Sequence, residues 1–184
     1  HSFPTRRSSD LVTFDGKAFG VWGRTLTAGA AGLPAQVTTQ ETPLLAAPAM
    51  LEARTPDGKT LALQAKGKPK TSFDKDFRKV VSFAGALGDL EVTSTVQVEF
   101  DGMYKVTLQL APKDPVEVAS LKLKVPLTNE AAAYVHAAGE GIRTGFYYGF
   151  LPKDKPGRIW TCKTVDSQPV VKGSFIPYVW VGCP

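Results

Sequence analysis

The sequence is poor in the side chains that most catalysis requires. Its 184 residues contain two histidines and two cysteines. His1 sits at the very start, so His136 is the one candidate for Ser-His-Asp chemistry, and no nucleophile elbow accompanies it. Cys162 and Cys183 allow a single pairing, which defines neither a disulfide nor a compartment. With the distant His136 they have no metal-ligand spacing, so no metal and no cofactor is expected. No apolar run approaches the ~20 residues of a membrane helix. No phosphate-cradling loop is present either; Gly139-Glu140-Gly141 reads as a flexible turn. The formal charge is +5, but the lysines are scattered singly along apolar runs. Lys66, Lys68 and Lys70 cluster around Gly67 and Pro69 and read as a solvated loop. Without a basic stripe interleaved with aromatic residues, neither nucleic acid nor a membrane is an expected partner.

What the chain does have is alternation. Hydrophobic residues make up 43% and charged residues 21%, which suits a folded domain and argues against disorder. Residues 1–11 (His-Ser-Phe-Pro-Thr-Arg-Arg-Ser-Ser-Asp-Leu) resemble the translation of a sequencing adaptor and are set aside from fold reasoning. A native basic tail is the alternative. Residues 12–184 then suit one sandwich domain. Residues 91–100 place apolar side chains mostly at even positions and polar ones at odd positions, the period of a strand with one wet face. Tyr104, Val106, Leu108 and Leu110 follow the same rule.

Side-chain parity selects the turns, because residues opposed in a hairpin share a face. Gly88-Asp89 works as a two-residue turn, setting Leu87 against Leu90 and Val81 against Val96. Pro56-Asp57-Gly58 works as a three-residue loop with a bulge, setting Ala53 against Leu61. Asp101-Gly102-Met103 is expected to do likewise, with Phe100 against Tyr104 and Val98 against Val106. These turns predict a four-strand meander near residues 77–87, 90–100, 104–110 and 116–127. The last strand would be corrected by a bulge at Ala119-Ser120. Earlier strands are expected near 21–27, 36–39, 44–54 and 60–65, and final ones near 158–165 and 170–181. One short helix is predicted over residues 129–136, capped by Thr128 or Asn129 and stopped by Gly139. The fold class is therefore all-β: a two-layer antiparallel β-sandwich with one short helix.

Asp57, Asp89 and Asp101 fall in turns, and Glu91 and Glu99 on the outward face of a strand. Turn chemistry and solvation account for them. Glycoside hydrolysis needs two carboxyl groups flanking one bond, and nothing nominates such a pair. The aromatic group Phe146-Tyr147-Tyr148, with Phe150, is a candidate sugar-stacking platform. The competing reading is a set of loop aromatics that cover one end of the core or contact a neighbouring domain.

Several segments resemble glycoside hydrolase family 123. These are Val21-Trp22-Gly23-Arg24-Thr25-Leu26 followed by Gly32-Leu33-Pro34, then Leu44-Leu45-Ala46-Ala47-Pro48, Val98-Glu99-Phe100-Asp101-Gly102-Met103, and Leu123-Lys124-Val125-Pro126-Leu127. The run from Ser174 through Phe175, Ile176, Pro177, Tyr178, Val179, Trp180 and Val181 to Gly182 is the most specific. The resemblance implies an N-terminal β-sandwich beside a catalytic barrel, in a secreted or periplasmic exo-acting β-N-acetylgalactosaminidase. In such enzymes the sugar's acetamido group assists catalysis and an adjacent Asp-Glu pair supports it. No Asp-Glu dipeptide occurs in this chain, so no catalytic residue is carried over and the fragment is expected to be inactive. Where relatives continue with an acidic residue and Arg-Gly-Leu, this chain has Cys183-Pro184, as a truncated fragment would. The implied partner is the catalytic barrel of the same parent chain, with carbohydrate as a further candidate. A stand-alone carbohydrate-binding module and a structural extracellular β-domain are the alternatives.

Overall fold

A computed structural model describes residues 11–112, 114–138, 146–153, 157 and 179–183, with the backbone alone at 137, 138, 146 and 147. Strands account for most of it. In chain order they are β1 (Thr13–Phe14), β2 (Ala18–Val21), β3 (Arg24–Ala28), β4 (Pro34–Thr39), β5 (Thr42–Pro43), β6 (Met50–Arg54) and β7 (Thr60–Lys75). They continue with β8 (Arg78–Leu87), β9 (Leu90–Glu99), β10 (Tyr104–Ala111), β11 (Ser120–Lys124), β12 (Tyr134–Ala138), β13 (Phe146–Phe150) and β14 (Val179–Gly182). The chain divides into two compact units, residues 1–126 and 127–184.

The first unit is the expected two-layer antiparallel arrangement. One sheet has the order β1-β2-β3-β4-β5 and the other β10-β9-β8-β7-β6-β11. The apolar sides of the central strands face the gap between them. Phe19, Val21 and Leu26 of the first sheet cluster with Val81, Val96 and Val98 of the second. A second cluster joins Leu33 and Ala49 to Leu51, Ala53, Leu63, Leu87 and Val92. Fully burying one such side chain contributes about 1.5–3 kcal/mol, so these two clusters dominate the unit's stability. The rings of Phe14 and Phe19 stack at 4.3 Å, and Tyr104 meets Phe19 edge-on at 5.8 Å.

Strand β9 alternates as expected: Val92, Ser94, Val96 and Val98 are buried while the odd positions are wetter. Ser94 is the polar exception, and its Oγ donates to the Ala31 carbonyl at 2.5 Å. Ala31 sits in a 3-10 turn (Ala30–Gly32) with a left-handed backbone, φ 47° and ψ 37°. That turn lies flat on the sheet because Gly32 has no side chain. A Cβ there would come within 2.4 Å of Val96 Cγ2.

The turns follow parity with one correction. Leu87 opposes Leu90 and Val81 opposes Val96 across Gly88-Asp89, and Ala53 opposes Leu61 across Pro56-Asp57-Gly58. The β9–β10 register, however, sets Val98 against Tyr104 and Val96 against Val106, two residues away from the expected pairing. The turn class is the expected one, but the loop is Phe100-Asp101-Gly102. Gly102 takes φ 87°, and its N–H donates to the Glu99 carbonyl. The glycine must be the third loop residue, where the backbone turns left-handed. Phe100 therefore sits on the tip, 52% exposed, and is not a buried strand residue.

Six further expectations are corrected. No helix forms over residues 129–136. Thr128 does cap a turn, accepting the Ala131 N–H on its Oγ1, and the Ala132 N–H reaches the Thr128 carbonyl. The chain then extends into β12, because Tyr134, Val135 and His136 gain strand partners on both sides, more than one marginal helical turn could offer. The strand expected over 21–27 is split by a tight turn at Trp22-Gly23, with φ 67° at the glycine. The strand expected over 44–54 becomes regular from Met50. Lys66, Lys68 and Lys70 are solvated, but on strand β7, whose register shifts between Lys66 and Lys70.

The fourth meander strand does not return to β10. Residues 114–119, which include Pro115, lead to β11 on the far edge, where it pairs with β6 in unbroken register from Ser120–Arg54 to Lys124–Met50. Leu121 and Leu123 are consequently exposed at that edge. The aromatic group at 146–150, for which a loop was the competing reading, forms β13. The strand expected over 158–165, and most of that over 170–181, lie outside the described residues.

Candidate functional site

Glycoside chemistry depends on carboxylates, and the fold uses several of them in its turns. Asp57 accepts a short hydrogen bond from the Thr55 hydroxyl, which holds its carboxyl below the usual range. Asp15 accepts the N–H groups of Ala18 and Lys17 at 2.7 and 2.8 Å and is lowered for that reason. Asp101 Oδ1 accepts the Met103 N–H at 2.9 Å. Glu99 accepts from the Gln97 amide at 2.7 Å. Glu52 pairs with Lys124 at 2.7 Å. Asp89 and Asp114 rim an open groove of about 350 Å³ floored by Leu61, Leu90, Val116 and Val118. Among the described residues, no group of three or more His, Cys, Asp or Glu is placed to hold a metal ion. Cys183 is exposed with a free thiol, and Cys162 lies outside the described residues.

The second unit carries a different surface. Its sheet has the order β13-β12-β14, antiparallel throughout. On central β12, His136 opposes Tyr148 on one side and Trp180 on the other, and Tyr134 opposes Phe150 and Gly182. Opposed residues share a face, so Tyr148, His136, Trp180, Tyr134 and Phe150 occupy a single sheet face. Val135 lies on the other face and is 6% exposed. The aromatic face looks outward: Tyr148 and Phe150 are each 71% exposed, Trp180 is 54% exposed, and His136 is exposed. Tyr134 and Phe150 stack at 4.9 Å with 28° between their planes. The Trp180 indole lies over Gly182, where a Cβ would come within 2.4 Å of Trp180 Cζ2. The missing side chain at Gly182 lets the indole lie along the sheet.

Of the four aromatic residues singled out from sequence, Tyr148 and Phe150 have a defined place on this face. Phe146 and Tyr147 are in β13, paired through their backbones with Ala138 and Ala137. Tyr134, His136 and Trp180 were not foreseen as members. The helix expected over 129–136 hid the first two. The signal lay in Tyr134-Val135-His136 itself, an alternation about one buried valine.

The family described as "Glycoside hydrolase 123, third domain" matches residues 12–150. That is most of the chain, and the chain belongs to this family. The description names a third domain where the resemblance implied an N-terminal one; the glycoside hydrolase 123 family is common to both. No curated protein and no solved structure matches. Among the described residues, no helix is long and apolar enough to cross a membrane.

Proposed function

We propose that this chain is a non-catalytic β domain of an exo-acting β-N-acetylgalactosaminidase-like glycoside hydrolase, one that packs against the catalytic barrel and supports it. The observation that carries this reading is the use of the carboxylates. Asp15, Asp57 and Asp101, the aspartates with side-chain hydrogen bonds from their own turns, hold backbone geometry. A glycosidase instead needs two carboxyl groups aimed at one bond, one of them kept protonated by its surroundings. The test is turnover of a chromogenic β-N-acetylgalactosaminide. The 184-residue chain should show none above the blank, whereas the parent enzyme should hydrolyse it and should lose thermal stability when this domain is deleted. Turnover by the isolated chain would sink the proposal.

A second reading, carbohydrate binding by the domain itself, is favoured by one specific feature: the outward row Tyr148–His136–Trp180. Flat rings on a sheet face suit the apolar face of a pyranose. Saturable binding of an amino-sugar oligosaccharide that Tyr148→Ala abolishes would support it.

A further inference from the structure

The first unit exposes a second apolar surface that neither reading uses. It lies at the hairpin tips at one end of the sandwich. Trp22, on the β2–β3 turn, is 79% exposed. Phe100 and Met103, on the β9–β10 turn, are 52% and 42% exposed, and Phe77, between β7 and β8, is 39% exposed. The tips are tied together. The Gln40 N–H donates to the Gly23 carbonyl at 2.9 Å, and the Phe100 N–H donates to the Phe77 carbonyl at 3.1 Å. The Arg24 guanidinium lies against Gly102, where a Cβ would meet Arg24 Nη1 at 2.8 Å. Below Phe77, the Arg78 guanidinium stands 4.6 Å from the Phe73 ring centroid and 5.8 Å from that of Phe77. These contacts hold the tips in fixed geometry, so covering them costs little ordering entropy.

We infer that this end of the sandwich is the docking surface for the domain that precedes it in the parent chain. Three observations lead there. The first is composition: Trp, Phe, Met and Arg are the residues enriched at the buried centres of protein interfaces. The second is extent: Trp22, Phe77, Phe100 and Met103 are each 39% or more exposed on neighbouring tips, an apolar area of the kind that marks a protein contact. The third is the path of the chain. The family match begins at residue 12, and the Val12 N–H donates to the Asp76 carbonyl at 2.6 Å, beside Phe77. A third domain has a neighbour ahead of it, and that neighbour joins at this end. Its tether raises the local concentration of its surface against the tips.

The inference rests on the chain being one domain of a larger hydrolase, and the test separates the two. Hydrogen–deuterium exchange is compared between the 184-residue chain and the full parent enzyme. Amides at 22–24, 76–78 and 100–104 should exchange about tenfold or more slowly in the parent. The double substitution Trp22→Ala and Phe100→Ala in the parent should restore the faster rates; both side chains are exposed, so the fold should survive. Slowing confined to another face, such as β11 or β12–β14, overturns this inference and leaves the supporting role intact. No slowing anywhere overturns both. Concentration-dependent dimerisation of the 184-residue chain that Trp22→Ala abolishes overturns it in favour of a second copy.

Discussion

Phe14, Phe19, Phe83 and Tyr104 meet one another between the two sheets of the first unit, stacked or edge-on. Tyr148, Phe150 and Trp180 stand on the outward face of the β12–β14 sheet. Both sets obey the same alternation along their strands, and hydrophobicity does not tell them apart. The difference is what lies opposite. Strand β2 faces a second sheet, so Phe19 is fully buried. Strand β12 buries Val135 on one side and presents its rings on the other. An aromatic residue at a strand position thus acquires its role from layering, a tertiary property, and the two sets should respond oppositely to truncation.

The largest expected effect is at Phe19. It is 0% exposed and touches two other rings. Removing a ring from such a site leaves a cavity that the surrounding sheets fill only in part. Phe19→Ala should cost about 3–5 kcal/mol, a large share of a domain's total stability. Urea unfolding followed by far-UV circular dichroism measures it. If Phe150→Ala on the outward face cost as much, the contrast between the two regions would collapse.

A smaller effect is expected where the core holds a polar group. Tyr104 donates its hydroxyl to the Gly32 carbonyl at 2.8 Å, and Tyr104→Phe should cost about 1 kcal/mol through that lost bond. Burial also raises the Tyr104 phenol above its ordinary 10.0. Above that value the unfolded chain releases the phenolic proton while the folded chain retains it, so protons favour the folded state. This contribution is complete below pH 10 and is lost as pH rises towards the folded value. Unfolding midpoints measured from pH 8 to 11 should fall more steeply for the wild type than for Tyr104→Phe. Parallel curves would show that the phenol is not held neutral by burial.

Much of this was legible in the chain. The all-β class, the parity of β8, β9 and β10 and the Gly88-Asp89 turn follow from alternation and turn chemistry, both of which are local. So does the use of Asp57 and Asp101 in turns. The β9–β10 register was also within reach, since the rule that places Gly58 third in its loop places Gly102 third as well. What was not legible is non-local. Residues 120–124 pair with β6 because an edge lined by Leu51 and Ala53 was open there, and no pattern within 112–127 reveals it. The aromatic face needed the register of three strands, two of them far apart in sequence. The alanines at 131–133 gave a true helix-start signal at Thr128, which pairing with β13 and β14 then overrode.

The finest test of the contrast is Gly182. In the first unit a side chain added at Gly32 would strike Val96 and Phe83 inside the core, where neighbours cannot give way without strain. At Gly182 the added Cβ would strike the Trp180 ring at 2.4 Å, an equally hard collision. Trp180 is 54% exposed, however, and can swing into water. Gly182→Ala should therefore change stability by no more than about 0.5 kcal/mol, the range of ordinary surface substitutions. It should still lift the indole off the sheet. In a background with Trp22 and Trp160 replaced by phenylalanine, Trp180 emission should shift to the red. A loss of stability on the scale of a core substitution would mean that this face is packed as the interior is, and that its rings serve folding before recognition.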